Sequence, residues 1–357
     1  MSERGSLPVV GDVTKNTVGV AVALVLLLLA PLILPSYFTG LVLDAMILAV
    51  FVLGFNQLFG YTGLLSFGHA AYYGTGAYVT AIVLSHDFIP GAIQSLVPAI
   101  LLGVLAALFV AGVFGALCVQ RGEIYFAMLT LAFSMMLYRL AIQWDSLTGG
   151  VNGLIISSPV VDLGVVQFSA LDTTLYYYFT FVIAVAAVAL LWRIVNSPYG
   201  ELLKTIRENP DRAAFIGLPV KRYQWTSFVI SGGIAGLAGG LAAVRTFVIT
   251  PGSVHWLKSA EPVIITLLGG PGVFVGPIVG TGIFIGLEEL LTNLTTYWQF
   301  GLGIVLIPLV LYAQNGVTGL ILDREEIDWI PDRVARRREE PPSDVESGSK
   351  PQESERP

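Results

Sequence analysis

"GYTGLLSFGHAAYYGTGAY", residues 60–78, sets five glycines, a serine and one of the chain's three histidines between two long apolar runs. A glycine in a membrane helix either lets a neighbouring backbone come close or lets its own backbone leave helical geometry. Both uses are legible here. Gly60 and Gly63 bracket a turn between two helices, while Gly68, Gly74 and Gly76 run along the following helix with Ser66 and His69 among them. Polar backbone at membrane depth survives only where protein or a water-filled cavity covers it. The stretch therefore predicts a helix inside a bundle or lining a pathway, not one facing lipid.

The rest of the chain supplies the bundle. Of 357 residues, 55% are hydrophobic and 12% charged, about half the charge fraction of soluble domains, and the mean hydropathy is +0.76. Apolar runs of about 20 residues match the length a helix needs to cross a bilayer, and their continuity argues for helices over a barrel. The first run, "TVGVAVALVLLLLAPLILPSYF", lacks a small-x-small cleavage pattern and reads as a retained helix. Helices are expected near 17–38, 40–59, 66–85, 93–119, 123–144, 174–195, 224–249 and 299–315. "SAEPVIITLLGGPGVFVGPIVGTGIFIGLEELL", residues 259–291, is too long for one span and is broken at "GGPG", so it reads as two shorter segments meeting there. The expected fold is all-α: a polytopic transmembrane helix bundle of about 8 full spans plus a broken or half-length pair.

Positive charge orients it. With residues 1–16 cytoplasmic, alternate crossings place Arg121, the segment from Arg193 to Arg222 and the Arg-rich C-terminal end on the same side, while the loops 86–92, 145–173 and 292–298 contain no Lys or Arg. Residues 17–322 form the transmembrane domain, with 196–223 as a cytoplasmic loop. The tail 323–357, charged, proline-bearing and acidic, is expected to be disordered and cytoplasmic. Localisation follows as a multi-pass protein of the cell membrane, with both termini inside and the lipid bilayer as surroundings. Nothing suggests nucleic acid as a partner.

Chemistry-bearing residues are sparse. Cys118 stands alone, so no disulfide or thiolate metal site forms within the chain. His69, His86 and His255 are scattered and make no HExxH-type set, so no metal site is expected. His69 has two readings, a neutral imidazole bonding a neighbouring helix or a transport-coupled group. "SGGIAGLAGG" and "GVFVGPIVG" place glycines at four-residue steps, Gly232/Gly236/Gly240 and Gly272/Gly276/Gly280, as small-xxx-small packing faces. No "GxxxxGK[ST]" occurs, so the chain is not expected to hydrolyse nucleotide or bind a cofactor. The mid-span ionisable groups are Asp44, Arg139 and Arg245, with Glu288 and Glu289 near an outer end; Asp145 or Glu261 are the expected partners of the two arginines. The loop "YGELLKTIRENPDRAAFIG" carries apolar positions amid charges and reads as one or two short amphipathic helices broken at Pro210.

Four stretches in order resemble the branched-chain amino acid ABC transporter permeases of the LivM type: "LLSFGHAAYYGTGAY", "LTGGVNGL", "SPYGELLKTIRENPDRAAFIGLPVKRYQWTSFVISGGIAGLAGGL" and "LLGGPGVFVGPIVG". The resemblance covers roughly residues 40–315. It implies a non-enzymatic permease subunit of an ATP-driven importer for branched-chain or other small hydrophobic amino acids, with urea or short amides as the close alternative and a gradient-driven carrier as a different class. The implied partners are a second, LivH-type permease, two cytoplasmic ATPase subunits that hold the ATP, and an external binding protein. It also implies that the 196–223 loop is the coupling loop, with Arg207, Glu208, Asp211, Arg212, Ala213 and Gly217 towards the ATPase; Pro210 occupies the position where the pattern's acidic residue is expected. Candidates for the pathway or for helix packing are Gly63, Ser66, Gly68, His69, Gly74, Gly76, Gly150, Asn152, Gly153, Gly269, Gly270 and Gly272. On this reading, leucine at both Gly68 and Gly76 abolishes uptake and spares ATPase docking.

Overall fold

The computed structural model describes residues 10–85, 95–120, 122–156, 160–162, 167–169, 172–297, 299–304, 307 and 316–321. His86, Arg121, the loop 86–92, most of the expected 299–315 span and the acidic tail lie outside them. The helices are α1 (Val10–Ile33), α2 (Ser36–Thr62), α3 (His69–Ser85), α4 (Leu96–Cys118), α5 (Glu123–Gln143), the single turn α6 (Asp145–Thr148), α7 (Thr173–Val195), α8 (Pro198–Glu208), α9 (Pro210–Phe215), α10 (Val220–Thr246), α11 (Ala260–Gly269) and α12 (Gly276–Leu294). Residues 299–304 and Gly316–Ile321 are also helical. The chain is an all-α membrane bundle. Among the described residues five helices, α2, α4, α5, α7 and α10, are long and apolar enough to cross a bilayer.

Proline and capping chemistry place the boundaries. α1 stops at Ile33 and α2 starts at Ser36, not near residue 40, because Pro35 sits at the α2 N-cap with φ −56° and has no N–H to continue a ladder. Asp172 caps α7 by accepting from the Thr174 and Leu175 amides. Ser197 and Asn209 cap α8 and α9, each followed by a proline at the first helical position. The expected break at Pro210 is where one short helix hands over to the next. The broken pair is also as expected: α11 ends at Gly269, Gly270 and Gly272 take φ of 109° and 85°, and α12 begins at Gly276.

α3 sits at the centre, packed against α10, α4 and α5, while α10 also packs on α2 and α4. The core is built around Tyr72, Tyr176, Phe51, Phe126 and Phe228, all essentially free of solvent. By contrast α4, α5 and α7 present Leu105, Phe109, Tyr125, Met128, Val182 and Leu190 outward, the apolar exterior of a bundle that meets lipid. Past α10 the chain forms β4 (Val248–Ile249) antiparallel to β1 (Leu154–Ile155), then two 3-10 turns, Pro251–Val254 and Trp256–Ser259. A separate hairpin pairs β2 (Val160–Asp162) with β3 (Gln167–Ser169).

Candidate functional site

The opening stretch does not make one helix. Gly63, at φ 81°, closes α2 by donating to Leu58 and Phe59, and residues 63–68 are non-helical. Ser66 and Gly68, expected on the helix, therefore lie in the connection before it. They still serve it: Ser66 Oγ accepts from the Gly68 amide at 3.2 Å, and the amides of Phe67 and Ala70 donate to Thr130 Oγ1 and Ser259 Oγ at 3.2 and 2.8 Å. Side chains from α5 and from the turn after α10 thus satisfy amides that the start of a buried helix would leave unpaired.

His69 opens α3 and is fully buried. Ser231 Oγ donates its one proton to the Gly54 carbonyl at 2.5 Å, so the 2.6 Å contact between His69 Nε2 and Ser231 Oγ has the histidine as donor. Phe55, Tyr72 and Phe228 meet the ring edge to face. The surroundings are those of a neutral imidazole tying α3 through α10 to α2, the first of the two readings. Beside it, Gln57 Nε2 donates to Ser227 Oγ at 3.0 Å, and the Thr62 and Ser227 hydroxyls meet at 2.6 Å.

The glycines of α3 are contact points. A Cβ at Gly76 would land on the Gly236 carbonyl of α10, one at Gly239 on the Tyr73 carbonyl, and one at Gly74 on Val254. One at Gly68 would meet the Thr130 carbonyl. Leucine at Gly68 and Gly76 is therefore a lesion of the bundle itself and not a selective block of a pathway, which corrects the expectation. The two small-residue stripes also differ. Gly232, Gly236 and Gly240 lie on one helix, but Gly272 is in the turn before α12, so "GVFVGPIVG" is no continuous face.

Gly269, Gly270 and Gly272 form a tight reversal whose anchors come from elsewhere. Asn56 accepts from the Gly272 amide at 3.1 Å and donates to the Val273 carbonyl at 3.2 Å. Arg207 Nη1, from α8, donates to the Gly60 carbonyl and stands against Gly63 and Gly272. Arg207, expected towards an ATPase, is exposed and also fastens the α8 loop to the end of α2 and to this turn. Ala213 is turned inward, 1% exposed. Glu208, Asp211, Arg212 and Gly217 are exposed, and beside them Phe215 and Ile216 are 90% and 74% exposed. Burial pushes the Tyr199 phenol up at the base of the same loop, against the opposing hydrogen bond with Thr226.

At the opposite end of the bundle, Gly149, Gly150 and Gly153 take φ of 74°, 57° and 78° and reverse the chain so that β1 reaches β4, with Gly150 buried and Asn152 exposed. Arg245 pairs with Asp44 at two points, 3.0 and 3.3 Å, and Glu261 with Lys258 at 2.6 Å. The expected pairing of Arg245 with Asp145 or Glu261 is thus corrected. Partners 201 residues apart on different helices leave no trace in spacing. Asn56 and Ser231 went unremarked as well, although an Asn-Gln pair inside an apolar run is a usable signal.

A family model described as "Branched-chain amino acid transport system / permease component" matches residues 37–313, the bundle from α2 onward. The chain belongs to that family. It is 28% identical over 328 residues, 86% of this chain and 76% of the other, to the high-affinity branched-chain amino acid transport system permease protein LivM of Escherichia coli K12. It is 26% identical over 311 residues, 83% of this chain and 97% of the other, to the corresponding LivH of Salmonella typhimurium. A probable LivM of Methanocaldococcus jannaschii is 25% identical over 76% of this chain and 86% of its own. No solved structure matches. The chain is accordingly a multi-pass transport subunit and not an enzyme, and both permease types of such a pair are its relatives over most of their length.

Proposed function

We propose that the chain is the LivM-type permease subunit of an ATP-driven importer that passes branched-chain or other small hydrophobic amino acids, delivered by an external binding protein. It pairs with a LivH-type permease, and two cytoplasmic ATPases hold the nucleotide that this chain does not bind. Eight full crossings with α11–α12 as the broken pair put both termini and the α8–α9 loop inside.

One observation carries the coupling. α8–α9 buries Leu203, Ile206 and Ala213 against the bundle, while Phe215 and Ile216 at its tip are 90% and 74% exposed, covered by nothing among the described residues. An exposed apolar pair flanked by Glu208, Asp211 and Arg212 suits a protein groove of mixed character. The experiment is ATP-dependent uptake of radiolabelled leucine, with urea in parallel, into vesicles carrying the assembled complex. Phe215→Asp with Ile216→Asp should leave the chain folded and lower uptake at least about tenfold, the scale of losing one or two buried apolar anchors. Uptake that continues without ATP would instead identify a gradient-driven carrier.

A further inference from the structure

Three acidic and two basic side chains gather on the half of the bundle away from α8–α9. Asp44 of α2 holds Arg245 of α10, and Lys258 holds Glu261 at the start of α11. Glu288 of α12 acts electrostatically on Lys258 and Glu261, and Tyr73 of α3 feels Asp44, Lys258 and Glu261 together. Lys258 Nζ stands 5.6 Å from the centre of the Tyr73 ring. Glu288 is half-buried and has neither a hydrogen bond nor an ion pair among the described residues.

Lipid is not the natural neighbour of this wall. α2 is 27 residues long, about 40 Å, against about 30 Å of hydrocarbon. Asp44 lies eight residues in from its first residue, about 12 Å, and so several Å inside the hydrocarbon. The Asp44 and Arg245 side chains are 46% and 33% exposed, and those of Glu261 and Lys258 32% and 29%. A charge at the bilayer centre costs on the order of 3 kcal/mol against lipid, and a charge at Asp44's depth costs part of that. A water-filled path or a protein partner removes that cost, and the apolar exteriors of α4, α5 and α7 already provide the lipid face.

We infer that this wall is a zwitterion-binding station of the translocation pathway, in which the unpaired Glu288 carboxylate takes the α-ammonium of the passing amino acid and Lys258 takes its α-carboxylate. Glu261 uses one of the three Lys258 N–H donors, and the other two have no hydrogen-bond partner among the described residues. Asp44 and Arg245, locked together at two points, hold the neighbouring helices and keep each other from competing for substrate. The inference rests on the amino acid permease reading.

The test is leucine uptake as a function of concentration in vesicles carrying the full complex, with co-purification of the subunits followed in parallel. Glu288→Gln keeps shape and removes charge; it should leave the complex assembled and raise the apparent KM about tenfold or more, the loss of one charge-assisted bond. Glu289→Gln, whose carboxylate already accepts from the Tyr37 hydroxyl, should leave KM unchanged. An unaltered KM in Glu288→Gln, an equal rise in both variants, or a complex that falls apart overturns the inference, the last by making the wall a subunit contact. Wild-type vesicles that take up no leucine overturn the permease reading itself.

Discussion

α10 and α12 are both glycine-rich, yet their glycines do different things. On α10, Gly236 and Gly239 are filled to the limit, the first by the Ala107 methyl and the second by the Tyr73 carbonyl. On α12, Gly280 presses on Ile265 of α11, but Gly282 and Gly286 have nothing within 4 Å. A glycine's meaning is set by what stands opposite, and spacing alone does not reveal it. The α10 stripe is an internal seam already closed; the outer glycines of α12 belong to an open face.

That contrast can be broken or sharpened by substitution. The largest effect is expected at the seam. Gly76→Leu or Gly236→Leu drives a side chain into backbone, so more than about 3 kcal/mol of overpacking should be incurred and folded, monodisperse protein in detergent should disappear. Gly282→Leu, by the same gel-filtration assay, should run as wild type; if it too is lost, the α12 face is not open in the single chain. Next comes Ser231→Ala, which leaves His69 Nε2–H without its acceptor and removes the second bond to the Gly54 carbonyl; it should lower stability by about 1 to 3 kcal/mol, read as a drop in Tm. Restoring wild-type Tm with the double variant His69→Phe, Ser231→Ala would show that the pair matters only to each other. Asn56→Ala removes two bonds that cross from α2 to the turn before α12 and should cost about 1 to 3 kcal/mol, with faster proteolysis confined to residues 269–275; cleavage spread along the chain would argue against a local staple. The smallest effect belongs to Gly282→Ala, which meets no neighbour and should stabilise α12 by about 0.5–1 kcal/mol, a small rise in Tm. A fall would mean that something unseen in this chain touches that face.

Much of the fold was legible because membrane burial imposes length and because proline and glycine punctuate it. Pro198 and Pro210 mark α8 and α9, and the break between α11 and α12 falls at the glycine-proline turn. Residues whose job is local were readable, such as Gly63 closing a helix with positive φ. Residues whose job is to reach another helix were not. Ser66 looked helical because nothing in its neighbours announces Thr130 and Ser259 as the groups that take over the helix start. Arg207 is exposed, and its second role as an anchor was not readable because the Gly60 carbonyl it serves is 147 residues away.

Arg207 and Asn56 have a joint mechanical consequence. Between them the last turn of α8, the last turns of α2 and the reversal before α12 are joined by side-chain hydrogen bonds to backbone atoms. On the importer reading, a displacement at the exposed tip of α9 would be felt first at this joint. From there α12 runs 19 residues to Leu294, with Glu288 about two-thirds of the way along it.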